Sequence, residues 1–353
     1  MIKPLEWQNG KLRFLDQTRL PHEEVYVEAD DPQDVADAIK RLSIRGAPLI
    51  GIAAAYGVAL ASRMSTVQST KVLPALQKAM NLFSSSRPTA VNLFWALERQ
   101  RRIIENVGDG SPDALFKSLL QEASKIHDED REMCTKIGAW GADLLPNAAV
   151  VLTHCNTGNL ATGGTGTAQS VISRSWEQRK LKHVYIDETR PLFQGARLTA
   201  WELQKLGIPS TLITDDTAAF LMQRGLINVV ITGADRITLT GDVANKVGTY
   251  NLAVLAHYHS IPMYIAAPTS SIDFEMEEGS GIPIEQRSAM EVVEINGKRI
   301  APLGIEVYSP AFDITPHHLV SAIITEQGVL RPPYRAALHA LHRDTFILKP
   351  ETA

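Results

Sequence analysis

Two residues of this sequence join a reactive side chain to a place just after a short β-branched run. Cys155 follows Val150-Val151-Leu152-Thr153 and His154, and Asp235 follows Val229-Val230-Ile231-Thr232 and Gly233-Ala234. A thiol at the carboxyl end of a strand meets backbone dipoles that lower its pKa, which fits it to move a proton. A carboxyl group among apolar neighbours keeps its proton near neutrality, as a general acid must. The plainer readings are a small buried hydrophobe for Cys155 and a turn cap or an Arg236 ion pair for Asp235. Residue type and position leave both open. The other cysteine, Cys134, falls within a helical pattern and reads as packing.

Groups able to hold an anion are spread along the chain. The densest glycine run, THCNTGNLATGGTGTAQ at residues 153–169, leaves a strand and opens a helix, which turns backbone amides toward a phosphate. Residues 158–165 fit a P-loop frame except that Gly164 stands where the lysine belongs. A dinucleotide loop built on Gly164 and Gly166 lacks its third glycine, because Gln169 occupies that place. A nicotinamide cofactor and a merely tight connection remain as alternatives. Arg45 in SIRGAPLIG and Arg87 in SSRPTAVNLFWA are constrained by a neighbouring glycine or proline just before apolar helices. Constraint suits phosphate recognition, although a solvated surface arginine is the commoner outcome. Lys246, beside Asn245 in GDVANKVGTYN, is a further phosphate candidate. Gln194 in RPLFQGAR is a neutral donor for a sugar hydroxyl or phosphate, with helix solvation as its alternative.

Other chemistries find little support. His257 and His259 face different directions on a helix, and His339 and His342 lack acidic or thiol companions, so no metal is expected. His154 points to the strand face opposite Cys155, which favours a packed histidine over a Cys-His pair. No G-x-S-x-G elbow appears.

The elements that must position these groups fall into two textures. Glu6-Trp7-Gln8 and Lys11-Leu12-Arg13-Phe14 flank Asn9-Gly10, the pair suited to a type I′ hairpin turn. Asp31-Pro32 starts a helix with Val35, Ala38, Ile39 and Leu42 on one stripe and an end near Ser43. Helical patterns follow over residues 48–63, 72–83, 92–105 and 114–143, with no strand between them and a stiff helical connection near 115–143. After Pro146, β-branched runs at 150–153, 184–186, 211–213, 229–231 and 263–265 alternate with helix-length segments, the pattern of a parallel sheet. Such sheets bind ligands at the carboxyl ends of their strands. Those ends lead into Cys155, Asp187, Asp215, Asp235 and Pro268.

A length of 353 residues suits two domains, or one large domain with an extension, and 44% hydrophobic with 21% charged residues excludes wholesale disorder, collagen-like repetition and a coiled-coil rod. The net charge of −4 gives nucleic acid and anionic lipid no global attraction, so neither is expected as a partner. Two cysteines are too few for a disulfide framework and suit a reducing compartment. The first residues lack an apolar leader and the apolar stretch 47–61 is short and glycine-broken, so the expected location is cytoplasmic.

Eight segments occur in order: RGAPLIGIAAAYG, RPTAVNLFWAL, THCNTG, DETRPLFQGARLTAWEL, DDTAAFLM, GADRI, GDVANKVGTYN and AAPTSSID. Together they resemble the S-methyl-5-thioribose-1-phosphate isomerase family of methionine salvage, from about Arg45 to the end of the sheet region. The resemblance implies an aldose-to-ketose isomerase of a sugar 1-phosphate that uses no cofactor and forms a homodimer. It implies an α/β fold with a smaller, mainly helical N-terminal domain that begins with a β-hairpin, assigned to residues 1–128. A Rossmann-like parallel-sheet catalytic domain follows, assigned to residues 129–353. It matches Cys155 and Asp235 to the family's catalytic pair. Its substrate-binding positions fall on Arg45, Gly46, Ala47, Arg87, Gln194, Asn245 and Lys246. The residues at Thr157, around Gly163 and Thr165, and at Thr240 depart from those commoner in the family, and these departures leave Cys155, Asp235 and Lys246 unchanged.

An anomeric phosphate prevents spontaneous ring opening, so an acid must protonate the ring oxygen. On this reading Asp235 supplies that proton, and Cys155 as thiolate carries the proton between carbons 2 and 1 through a cis-enediolate. Hydride transfer is the competing route. Arg45, Arg87, Lys246 and the amides after Gly163 are expected to hold the phosphate. The rival functions are a related isomerase acting on ribose 1,5-bisphosphate or 5-deoxyribose 1-phosphate, a regulatory subunit of the translation-initiation exchange factor, and a nicotinamide dehydrogenase.

Overall fold

The structure, a computed structural model, describes residues 2–67, 71–87, 90–107 and 111–347, which fall into two compact units. The first unit is Met1–Thr135 with Thr157–Thr167. Its hairpin of β1 (Leu5–Gln8) and β2 (Lys11–Leu15) turns at Asn9 and Gly10, whose φ values of 52° and 77° are the two positive angles a type I′ turn needs. A third antiparallel strand that the sequence reading lacked, β3 (Tyr26–Ala29), pairs with β2.

Helix α1 (Pro32–Lys40) opens as expected, with the Asp31 carboxylate accepting the Gln33 N–H at 2.7 Å. It ends short of Ser43 because Leu42 turns left-handed at φ 65°. Helices α2 (Ala47–Val67), α3 (Val72–Ser84), α4 (Val91–Val107) and α5 (Pro112–Leu144) follow. By length and composition α2 is apolar enough to cross a bilayer. Its Leu49, Ile52, Val58 and Leu60 are instead buried in this unit's core beside Leu76, Phe83, Leu93 and Leu119.

The second unit is Lys136–Asn156 with Ala168–Ala353. Its sheet strands and helices alternate: β4 (Ala149–Thr153), α6 (Ala168–Glu177), β5 (Leu181–Asp187), α7 (Ala200–Lys205), β6 (Ser210–Ile213), α8 (Thr217–Gln223) and β7 (Val229–Thr232). A small antiparallel sheet of β8 (Arg236–Ile237), β9 (Val243–Lys246) and, much later, β13 (Phe312–Thr315) interrupts this alternation. Between β9 and β13 lie α9 (Thr249–Tyr258), β10 (Met263–Ala266), α10 (Met290–Val293) and the hairpin β11 (Glu294–Ile295) with β12 (Lys298–Arg299). The chain closes with β14 (Ala322–Thr325), β15 (Gly328–Leu330) and α11 (Tyr334–Ile347).

The main sheet runs β15-β14-β10-β7-β4-β5-β6, parallel throughout except for β15 at its rim. Alternation along the strands sends Leu152, Val230, Ile265 and Ile323 into one core with α8 and α9 residues such as Leu221 and Leu252. Val151, Val229, Ile231 and Ile324 enter another core with Val171 and Leu203 of α6 and α7. Covering both faces is what a parallel sheet requires. Ile265 is fully buried between β7 and β14. Ile265→Ala should therefore lower the unfolding free energy by about 2–5 kcal/mol, read from urea titration; an unchanged midpoint would contradict this packing.

Candidate active site

Taken in chain order, the six parallel strands of the main sheet stand 3-2-1-4-5-6, the order of a doubly wound sheet. The order in which strands are added reverses between the first and fourth of them, β4 and β7, and ligands of such sheets occupy the crevice that opens at such a point. The two strands pair Val151 with Val229 and Leu152 with Val230. Beyond their carboxyl ends the chain reaches Cys155 on one side and Asp235 on the other. Residues far apart in sequence thus leave adjacent strands at one edge.

Cys155 has φ 61°, the left-handed region that a non-glycine residue enters only at a cost. Its N–H donates to Thr189 Oγ1 at 2.8 Å, and its carbonyl accepts from Thr199 Oγ1 at 2.6 Å. The next residue, Asn156, donates through Nδ2 to Glu202 Oε1 at 2.8 Å, while Gln169 Nε2 donates to Glu202 Oε2 at 2.9 Å. Thr189 and Phe193 also lie in the left-handed region. Thr189 and Arg190 each donate a backbone N–H to Asp215 at 2.8 Å. Gly195 follows, where a Cβ would stand 1.7 Å from the Asp187 carbonyl, so only glycine fits this approach. From Gly195 to Thr199 the chain makes a π turn that runs into α7 and brings Thr199 and Glu202 to their partners. None of Thr189, Thr199 and Glu202 was singled out by sequence reasoning, although all three lie in DETRPLFQGARLTAWEL.

His154 is buried and committed at both nitrogens. Nε2 meets the Val247 carbonyl at 2.9 Å and must donate to it; Nδ1 meets Asp187 Oδ2 at 2.9 Å. Burial opposes charging of the ring, but the Asp187 hydrogen bond and charge outweigh it, so the His154 pKa is raised. Burial likewise pushes Asp187 up to about 6, against the pull of His154. Donor atoms of His154, Asp187 and Asp215 lie within 4.8 Å of one another. Hydrogen bonds engage both His154 nitrogens and both Asp215 oxygens, while Asp187 Oδ1 is buried with no hydrogen-bond partner among the described residues.

On the β7 side, the Asp235 N–H donates to the Ala244 carbonyl at 2.9 Å, joining the half-buried Asp235 to β9. Arg236 pairs with Asp273 at 3.2 Å. Asn245 Nδ2 donates to Thr249 Oγ1 at 3.0 Å. Lys246 is only 9% exposed; its Nζ donates to the Ala311 carbonyl at 2.9 Å and stands 5.0 Å from the Phe312 ring centre. Gln194 is 6% exposed, which removes helix solvation as its explanation, and its Oε1 is buried with no hydrogen-bond partner among the described residues.

The remaining sequence-derived residues belong to the first unit. Arg45 and Gly46 immediately precede α2, which opens at Ala47. Gly46 has φ 95°, and a Cβ there would lie 2.5 Å from the Ala161 Cα. Arg87 lies ahead of α4, and Pro88 beside it is outside the described residues. The glycine run departs from the expected anion cradle. The Gly163 N–H donates to Asp130 Oδ2 at 2.6 Å, that of Gly164 to Thr162 Oγ1 at 3.3 Å and that of Thr167 to the Thr157 carbonyl at 2.8 Å. These amides stabilise the loop itself. Cys134 is 1% exposed, and burial pushes its thiol pKa well up.

Residues 43–332 match the Initiation factor 2 subunit family. A curated methylthioribose-1-phosphate isomerase of Chloroflexus aurantiacus is 51% identical over 341 residues, 96% of this chain and 98% of that protein. The crystal structure of 5-methylthioribose 1-phosphate isomerase from Pyrococcus horikoshii OT3 is similar with a TM-score of 0.90 and 44% identity, over 98% of this chain and 96% of that one. A structure titled translation initiation factor eIF-2B, subunit delta, from A. fulgidus has a TM-score of 0.84 and 44% identity, over 95% and 98%. The chain belongs to the Initiation factor 2 subunit family and, within it, to the methylthioribose-1-phosphate isomerases.

The buried Asp187 gives stability a signed pH dependence. Its native pKa of about 6 lies above the ordinary 3.8, so the native state holds a proton that the unfolded chain has released. The resulting stability is full below pH 3.8 and is lost as pH rises through about 6. The unfolding free energy of the wild type minus that of Asp187→Asn should therefore fall between about pH 4 and pH 7, and a flat or rising difference would contradict the assignment.

Proposed function

We propose that this enzyme converts S-methyl-5-thio-α-D-ribose 1-phosphate to S-methyl-5-thio-D-ribulose 1-phosphate, with Cys155 and Asp235 as its catalytic pair. The observation that carries the reading is the exit of both residues at the reversal point between β4 and β7. The names of its relatives support the substrate.

Asp235 donates its proton to the ring oxygen, which opens the furanose without loss of the phosphate. Cys155 as thiolate then removes the proton at carbon 2 and returns it to carbon 1 through a cis-enediolate. The Asp235 carboxylate takes back the proton of the carbon-2 hydroxyl as the ketone forms, so both groups are restored and no external electrons are needed. Buried Lys246 suits an anion because an ammonium withdrawn from water gains more from a phosphate than a solvated one does. Gln194 carries a buried oxygen that a sugar hydroxyl satisfies by donating to it. Asn245, Arg45, Gly46, Ala47 and Arg87 complete the proposed substrate-binding residues. The proposal extends to a homodimer in the cytoplasm, with residues 1–128 as a helical N-terminal domain and 129–353 as the catalytic domain.

Asp235→Asn should lower kcat by about 10³-fold or more while substrate affinity is largely kept. Cys155→Ser should behave in the same way, and wild-type turnover in either variant removes that residue from the mechanism. Deuterium at carbon 2 distinguishes the chemistry: washout into water accords with the enediolate, whereas complete retention in the ketose replaces it with hydride transfer. NMR of the purified protein with methylthioribose 1-phosphate, ribose 1,5-bisphosphate and 5-deoxyribose 1-phosphate tests the substrate. Absence of ketose from all three, with co-purification in a large hetero-oligomer, would overturn the enzymatic reading.

A further inference from the structure

We propose that His154, clamped by Asp187 and the Val247 carbonyl, is a positioning residue that holds Cys155 in its left-handed backbone conformation. The inference rests on the catalytic reading of Cys155. Four contacts close a ring around that residue. Asp187 Oδ2 meets His154 Nδ1 at 2.9 Å, and His154 is bonded covalently to Cys155. The Cys155 N–H donates to Thr189 Oγ1 at 2.8 Å, and Thr189 Oγ1 donates to the Asp187 carbonyl at 3.0 Å. Asp187 therefore grips both ends of the His154-Cys155 step, one through its side chain and one through its backbone.

The second imidazole nitrogen ties the same step to Val247, just past β9, the strand that carries Asn245 and Lys246. The imidazole thus spans three separate chain segments, the ends of β4, β5 and β9, with a rigid ring that has no third polar atom to offer substrate. A left-handed cysteine persists only where its surroundings over-determine it. Without His154, the backbone at Cys155 relaxes toward extended conformations and its Sγ leaves the reacting carbons. Misplacement of a reacting group by about 1 Å costs about 100-fold in rate.

The test compares His154→Ala, Asp187→Ala and Asp187→Asn with the wild type, using methylthioribose 1-phosphate for turnover and iodoacetamide for the Cys155 thiol. Cys155 is 9% exposed and Cys134 1%, and peptide mass spectrometry separates the two sites. H154A and D187A should lose about 100-fold in kcat with KM within about threefold, and Cys155 alkylation should slow by about tenfold. In D187N the amide still donates to His154 Nδ1 while Nε2 keeps its bond to Val247, so kcat should return to within about fivefold of the wild type. Wild-type kcat and alkylation rate in H154A would overturn the proposal, and so would a D187N that is no better than D187A. If H154A fails to fold, the two Asp187 variants decide. If the wild type itself does not turn over the sugar phosphate, the functional reading fails, and the alkylation rates still decide the positioning role.

Discussion

Parallel hydrogen bonding between β4 and β7 is the constraint from which the rest of the second unit follows. In an antiparallel pair the two carboxyl ends point to opposite edges; in a parallel pair they share one. Parallel neighbours also need a long return connection, and those connections cover both faces with helices. Each strand then spends its alternate side chains on two cores, Val151 and Ile231 on one and Leu152 and Val230 on the other. No polar group of catalytic use fits between those cores. Chemistry is left to the residues that emerge from the strand tips.

Much of this order was legible because it is local. Asn9-Gly10 fixes a hairpin by turn geometry, and Asp31-Pro32 fixes a helix start by capping. The five β-branched runs announced β4, β7 and β10 because strands buried on both faces are continuous hydrophobic stretches, and the more exposed β5 and edge strand β6 through their β-branched composition alone. Strand β14 was missed although Ala322-Ile323-Ile324-Thr325 has the same composition, and β8 with β9 was missed because short antiparallel strands lack a periodic signal. The glycine run misled for a physical reason. Its composition frees the backbone to turn, but Asp130, supplied by α5, decides where the Gly163 amide goes. Composition cannot reveal a partner fixed by tertiary packing.

The candidate site was legible as residue types at strand tips and illegible as a network. His154 reaches Asp187 and Val247, and Thr189 reaches Cys155, across separations that no sequence period records. Its backbone is strained where its chemistry is dense: Cys155, Thr189 and Phe193 all have positive φ. Such residues cost about 1–3 kcal/mol each. The surrounding hydrogen bonds and the tight approach at Gly195 offset that cost. Stability and preorganisation are therefore built from the same contacts.

Glu202 carries a consequence for the lifetime of the molecule. Its two oxygens are matched by side-chain amides, Asn156 beside the reactive thiol and Gln169 at the start of α6. Hydrolytic deamidation of either amide would replace a donor with a second carboxylate against a buried acid, and like charges so close cannot both ionise. One acid would have to keep its proton at neutral pH. Slow chemical ageing at a residue that performs no chemistry would then loosen the segment next to Cys155 and inactivate old copies without any break in the chain.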